Sequence, residues 1–575
     1  MNQRLIDIKK TPFSRYGAYL SVTADEKNNY LTIHNVRRRF GEDRAYKLRF
    51  FYKGKNEEWA AAAVPECIYV SSRNGEARIY IRDDQTLVVD SKNLDVEFVQ
   101  ISADGYGCAE SEYEFKMISV YQRIYTYFFV KSGRGSVRDM EHEENEFSNS
   151  TRYRNQKLTI TCEEGRVTAA LRMSIWEPLN ISFPLNPEQE IRTVREEWEK
   201  FKNTLADLKE DSFEELTWYN IWSSFVRAED VYHYDVMLMS KKNMSSVWSW
   251  DHCFNALVMA KISKRIALEQ FIAPFELQGK TGVLPDLWNP NYELVWGITK
   301  PPIHGWCFSK LMDQYQFSGE VLGQVYSYLE KWTEYWINYR DSDHDGIPEY
   351  PQGCDCGWDN ATVFDDGYFK ETPDLPAFLI LQMKTLCRIA AEMEKKEPGK
   401  WKNKAEEWEK KSEVMLANLY EHSWEKGTFI SKKSHTHEWE EKSGCLLNLM
   451  PLVLGEFLDC DKKEKLIRKL KAEFLTEYGL ATESPFSSKY ESDGYWRGPV
   501  WAPTTYLIVD GLKRCKEEKL AREIAEKFCN MVKYKAHGNY ENFDALTGKG
   551  LRAPGYTWTA SVYMLLHWEY MENGE

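Results

Sequence analysis

Residues 322–339 read LGQVYSYLEKWTEYWINY. The apolar positions Leu322, Val325, Leu329, Trp332, Trp336 and Tyr339 fall at i, i+3, i+7, i+10, i+14 and i+17. That spacing puts one apolar stripe along a helix. A second stripe runs through Leu379, Met383, Leu386, Ala390 and Met393. It follows Asp374, the expected N-cap, and Pro376 in the first turn. Both stripes read as core. Residues 213–575, at about 30 residues per helix and loop, hold about 12 helices. Six helical hairpins in a ring, an (α/α)6 barrel, use that number, as does a two-layer helical array.

Towards the N-terminus the period changes to two. Leu94, Val96 and Phe98 are separated by Asp95 and Glu97. Leu158, Ile160 and Cys162 alternate with Thr159 and Thr161, and Glu164-Gly165 supplies a turn. The alternation resumes through Val167, Ala169, Leu171, Met173 and Ile175. Serial antiparallel hairpins with one buried face predict a β-sandwich. The expected organisation is therefore a mainly α protein with an added β domain. Residues 1–188 are expected to form an N-terminal antiparallel β-sandwich, 189–212 a helical linker, and 213–575 the helical domain.

Bulk composition narrows the function. The chain has 575 residues, 75 basic and 89 acidic, for a net charge of −14. With no basic stripe, nucleic acid and anionic membrane surfaces are excluded as partners. The start, MNQRLIDIKKTPF, carries no apolar stretch of signal-peptide length. The 12 Cys are scattered without repeated CxxC pairs. Reduced thiols and a cytoplasmic location are the expectation. With 21 Trp and 34 Tyr, the chain is rich in aromatic residues.

The loops between helices concentrate these aromatic residues beside acids. Trp250-Asp251, the Gly282–Trp288 segment and residues 341–373 are long, with little regular pattern. Exposed Trp next to carboxylates suits a sugar, whose apolar face stacks on a ring while its hydroxyls bond to acids. Cleaving a glycosidic bond takes two carboxyl groups flanking it. Asp359, in Cys356-Gly357-Trp358-Asp359-Asn360, has an apolar neighbour in Trp358 that would keep it protonated, as an acid requires. Glu541, in Asn539-Tyr540-Glu541-Asn542-Phe543-Asp544, is the second candidate.

Five blocks occur in a characteristic order: GWDN at 357–360, ETPDLPAFLI at 371–380, YWRGPVWAP at 495–503, YENFDALTG at 540–548 and GYTWT at 555–559. Together, with Trp250-Asp251 and Leu284-Pro285, they resemble glycoside hydrolase family 63 and the related trehalase-type hydrolases. The resemblance spans about 250–565. It implies an (α/α)6 barrel preceded by a β-sandwich, an inverting α-glucosidase mechanism, Asp359 as general acid and Glu541 as general base. It leaves the linkage and aglycone open, since members act on several α-glucosides and on glycosyl-glycerates.

Further expected substrate contacts are Trp250, Asp251, Trp288, Trp358, Glu483, Trp496, Arg497, Trp501 and Trp558. Arg497 is followed by the stiff Gly498-Pro499 turn, and its guanidinium suits bidentate bonding to hydroxyls. The string Asp341-Ser342-Asp343-His344-Asp345-Gly346 offers alternate carboxylates from Asp341, Asp343 and Asp345 to Ca2+. Gln352 stands where an EF-hand needs Glu, so a structural Ca2+ would need the Ile347 carbonyl and a distant carboxylate. A solvated Asp-Gly turn is the competing reading. The chemistry itself requires no cofactor. The expected function is exo-acting hydrolysis of a short α-glucoside, an oligosaccharide or disaccharide, releasing glucose. Alternatives are hydrolysis of trehalose or of a glycosyl-glycerate, an inverting disaccharide phosphorylase, and a non-catalytic glycan-binding protein.

Overall fold

The computed structural model describes residues 6–24, 28–39, 41–102, 105–139, 155–176, 185–205, 208–210, 212–229 and 231–572. The first five residues of the start read above lie outside them. The chain forms two compact units, Met1–Ser246 with Asn289–Glu293, and Val247–Trp288 with Leu294–Glu575.

The first unit is a β-sandwich of two antiparallel sheets. One carries, in spatial order, Leu20–Ala24, Leu31–Asn35, Arg44–Tyr52, Asp95–Gln100, Gln156–Thr161 and Arg134–Asp139, with Lys55–Asn56 paired to Arg44–Tyr52. The other runs Gly105–Ala109, Glu114–Ser119, Ile124–Ser132, Arg166–Ser174, Thr86–Lys92, Glu76–Ile81, Cys67–Ser72, Trp59–Val64. Alternation fixes which face is buried. Phe98 of the first sheet meets Phe128 of the second with ring centroids 5.1 Å apart, and the Tyr46 hydroxyl donates to Thr126 Oγ1 across the gap at 2.9 Å. Glu164 and Gly165, both at positive φ, make the expected turn.

Helix α1 (Pro187–Lys202) starts at the Asn186 cap, whose side chain accepts from the Gln189 amide. It is more than a spacer. Its Ile191 packs with Leu185 on the outer face of the second sheet, against Tyr80, Val88 and Ala170. Helix α2 (Phe213–Ser224) follows in the same unit and packs Tyr219 and Trp222 on Trp198 of α1.

In the second unit, burial separates inner from outer helices. Helices α3 (Asp251–Met259), α10 (Ala502–Arg514) and α12 (Thr557–Leu566) are buried on nearly every side, as is the first half of α7 (Asp374–Lys396). Helices α4 (Lys264–Ile272), α6 (Gly319–Tyr339), α8 (Lys402–Ser423), α9 (Cys460–Lys469) and α11 (Glu518–Asn530) bury only one stripe. With α5 (His304–Gln314) and the 3-10 run Leu446–Phe457, the inner helices close a ring in the order α3, α5, α7, 446–457, α10, α12 and back to α3. This is the (α/α)6 arrangement, and the two-layer array is set aside.

Small residues let the ring close. A Cβ on Gly305 of α5 would stand 2.4 Å from Gln382 Cα of α7, and one on Gly511 of α10 would stand 2.2 Å from the Leu452 carbonyl oxygen. The Ser561 hydroxyl of α12 donates to Asn255 Oδ1 of α3 at 3.0 Å. Two details differ from the sequence reading. Pro373, not Asp374, caps α7, and Asp374 begins the helix. Tyr339, at the end of α6, is 61% exposed and does not extend the core stripe. Among the described residues, no helix is long and apolar enough to cross a membrane.

Candidate active site

The loops that lead into the inner helices carry the chemistry. Residues 341–373 precede α7, 479–501 precede α10, and 538–556 precede α12. Asp359 is partly exposed, whereas Glu541 is only 6% exposed. They come together through Tyr495. Its hydroxyl donates to Glu541 Oε1 at 2.9 Å and stands within electrostatic reach of the Asp359 carboxyl as well. Tyr495 has a left-handed backbone, φ 66°. That conformation is rare for a bulky residue and marks a constrained site. The Trp501 indole donates to the Tyr495 carbonyl at 2.9 Å and fixes the turn.

The acid loop and the tyrosine loop are stitched beside these groups. Asn360 Nδ2 donates to the Gly494 carbonyl at 3.0 Å, and its Oδ1 accepts from the Trp496 amide at 2.9 Å. Glu541 sits on the strand Tyr540–Phe543, paired with Gly550–Pro554. The same strand bridges Val500, where Val500 and Phe543 exchange backbone bonds of 2.7 and 3.0 Å. Trp558 donates to the Glu541 carbonyl at 3.2 Å. The loop segments that bear the two candidate carboxylates are thus each fixed by at least two bonds.

Burial pushes both carboxyl groups up. For Asp359, Lys300 opposes the rise and Asp286 adds to it. For Glu541, the Tyr495 bond and the Ala553 amide oppose the rise, and Asp359 adds to it. Asp251, at the start of α3, is driven up most strongly by burial, with Lys300 opposing and Asp286 and Glu541 adding. Lys300 is the cation of this group. Its ammonium lies 2.8 Å from Asp286 and donates to the Cys354 carbonyl at 2.8 Å. Neither Lys300 nor Asp286 stands out in the sequence, because a lone Lys and Asp in a loop carry no pattern.

The tryptophans behave differently from the exposed platforms expected. Trp250, Trp288, Trp358, Trp496, Trp501 and Trp558 are all buried. Trp358 stacks on Trp496 at 4.9 Å, and Trp496 on Trp501 at 3.8 Å with planes 7° apart. Trp250 and Trp558 meet edge-to-face at 6.0 Å. Trp288 pairs through its strand with Val247. Rings that large gain more from burying their faces on each other than from waiting in water. Trp250, Trp358, Trp496, Trp501 and Trp558 form one apolar cluster. Gly357 lets the acid loop approach it: at φ +73° its Cβ would fall 2.8 Å from the Trp250 ring.

Two other expected contacts are already engaged. The Glu483 carboxylate is fully buried. It accepts from Thr362 Oγ1 at 2.6 Å, from the Gly444 amide at 2.8 Å and from Ser487, so it fastens loops instead of facing Asp359. Arg497 pairs with Asp365. Cys356 is buried with its thiol directed at the Gly353 carbonyl, and all 12 cysteines are free.

Asp341, Asp343 and Asp345 do draw together. Asp341 accepts from the Gly346 amide, Asp343 from the His435 amide and Asp345 from the Ile347 amide. Two residues without sequence pattern, His422 and His437, join Asp345 there, as does Glu371.

Known proteins resemble this chain over the same region. The family model of the "Mannosylglycerate hydrolase MGH1-like glycoside hydrolase domain" matches residues 244–559. A mannosylglycerate hydrolase of Rubrobacter radiotolerans is 22% identical over 55% of this chain and 89% of that protein. A glucosylglycerate hydrolase of Mycolicibacterium hassiacum is 20% identical over 55% of this chain and 91% of that protein. The solved family 63 mannosylglycerate hydrolase of Thermus thermophilus, in complex with Tris and D-glycerate, superposes with a TM-score of 0.51 at 18% identity, over 58% of this chain and 96% of that one. These matches, on a ring whose loops bring two candidate carboxyl groups to one tyrosine, show that the chain belongs to the MGH1-like domain family of glycoside hydrolase family 63 and is a glycoside hydrolase.

Proposed function

We propose that the enzyme hydrolyses a short α-glucoside from its non-reducing end with inversion, Asp359 acting as general acid and Glu541 as general base. The observation that carries this reading is the shared Tyr495 hydroxyl. It donates to Glu541, and Asp359 and Glu541 lie within electrostatic reach of each other and of this hydroxyl, as a pair serving one bond requires. In the reaction, Asp359 gives its proton to the glycosidic oxygen as the bond to the anomeric carbon breaks. Glu541 takes a proton from the water that attacks the opposite face. Burial raises Asp359 and favours the protonated acid. Tyr495, donating to Glu541, favours the charged base.

The aglycone read here is neutral. The cations at this end of the ring already face acids: Lys300 faces Asp286, Arg497 faces Asp365 and Arg552 faces Asp493. Glu541, the charged base, further disfavours a negatively charged leaving group. A second reading, a glycosyl-glycerate substrate, is favoured by the names of the relatives. Initial rates on a panel of α-linked disaccharides, trehalose, glucosylglycerate and mannosylglycerate separate the two. Highest kcat/KM on a disaccharide supports the neutral aglycone, and highest kcat/KM on a glycerate glycoside overturns it. Phosphate-dependent turnover would indicate a phosphorylase, and sugar binding without turnover a glycan-binding protein.

A further inference from the structure

Away from these carboxylates, four side chains from four segments converge. Asp345 comes from the loop after α6, Glu371 from the short strand Lys370–Glu371, His422 from the last turn of α8, and His437 from the turn that follows Lys432–Lys433. One ligand atom from each lies within 4.8 Å of the others. His422 Nε2 is 2.6 Å from Glu371 Oε2, and His422 Nδ1 is 3.0 Å from Asp345 Oδ2. The His437 ring crosses the His422 ring edge-to-face, centroids 4.7 Å apart.

These short approaches lack hydrogen-bond geometry, and they become ion pairs only when the His422 ring is protonated. Glu371 is fully buried, yet both of its carboxylate oxygens lack a donor, and so do Asp345 Oδ2 and His422 Nε2. Buried Glu371 therefore requires a cation beside it. Close nitrogen–oxygen contacts whose N–H bonds do not point along them are what ligands of one ion show, because their lone pairs aim at the ion. The backbone supports the convergence. His435 and His437 both take positive φ, and the His435 amide is tied to Asp343 Oδ2 at 2.7 Å.

We propose that Asp345, Glu371, His422 and His437 bind one divalent first-row transition cation, of the zinc or cobalt class, as a structural staple. The donor set disagrees with the Ca2+ expected from the aspartate string. Ca2+ takes six to eight oxygens, whereas two imidazoles and two carboxylates suit a four-coordinate borderline cation. Asp345 remains a ligand, but Asp341 and Asp343 do not. Glu371 and Asp345 flank the long loop that bears Asp359, so the ion pins both ends of that loop.

The test uses the full chain, treated with EDTA and titrated by calorimetry with Zn2+, Co2+ or Ca2+ alone. The expected result is one equivalent of Zn2+, visible d–d absorption with Co2+, and a higher Tm on loading. His422→Ala, His437→Ala and Glu371→Gln should each weaken Zn2+ binding by about 10-fold or more, while Asp341→Asn leaves it unchanged. His437 is 42% exposed, so its variant folds even where the buried ones do not. Absence of Zn2+ and Co2+ binding, or Ca2+ binding that needs Asp341 and ignores both histidines, would overturn the proposal.

Discussion

The Tyr495 hydroxyl lies 2.9 Å from Glu541 Oε1, and Asp359 stands within electrostatic reach of the same hydroxyl. One phenol therefore couples two carboxyl groups brought from loops 182 residues apart in the chain (359 to 541). Its bond lowers the proton affinity of Glu541, against the rise that burial imposes. Removing the hydroxyl has a direction in the pH profile. The acidic limb reports Glu541 losing its proton to become the base, and the alkaline limb reports Asp359 losing the proton it must donate. Tyr495→Phe should raise the Glu541 affinity and move the acidic limb of kcat/KM upward by about one pH unit. An acidic limb that stays in place, or moves down, contradicts this coupling.

Asp359→Asn should fold as the parent does and lose roughly 10²- to 10⁴-fold in activity. The loss should be greatest on disaccharides with poor leaving groups. It should be smallest on glucosyl fluoride, whose leaving group needs little protonation. Equal losses on both would remove Asp359 from the acid role.

Stability should respond to the base as well. Burial raises Glu541 above its unfolded value, so the folded state holds the proton more tightly. That contribution is fully present below the unfolded value, near 4.3, and is lost as pH rises through the folded value. Glu541→Gln should therefore be more stable than the parent at pH 7 by a few degrees in Tm, with the gain shrinking towards pH 4. Thermal melts at the two pH values check the sign.

Glu483 tests whether a buried acid near the site binds sugar or fastens loops. Its oxygens hold Thr362, the Gly444 amide and Ser487. Glu483→Ala leaves those donors buried and unpaired, at a cost of about 1–3 kcal/mol. Denaturant midpoints should fall accordingly, while KM of the folded fraction changes little. A large rise in KM with unchanged stability would restore the substrate contact.

The helical period was legible wherever a helix faces the core on one side, as through Leu322 to Trp336 in α6. It was weaker in α7, whose first half is buried all round and reads as an unbroken apolar run. The fourth inner segment, Leu446–Phe457, was not legible because Pro451 and Gly455, at φ 59°, break the pattern inside it. Strand alternation in the sandwich was legible for the same reason as α6: one face is wet. At the site, the ordered blocks located Asp359 and Glu541, and Tyr495 and Trp501 came with them. Sequence could not show that the tryptophans bury one another, since stacking depends on how separate loops meet. Nor could it show Lys300, Asp286, His422 or His437, whose partners lie far along the chain.

Inversion by a water between Asp359 and Glu541 is tested most directly by the anomer first released. Time-resolved NMR of an α-glucoside digest should show β-glucose appearing first and mutarotating afterwards. Initial α-glucose would require a retaining pathway through a glycosyl-enzyme and would contradict the account.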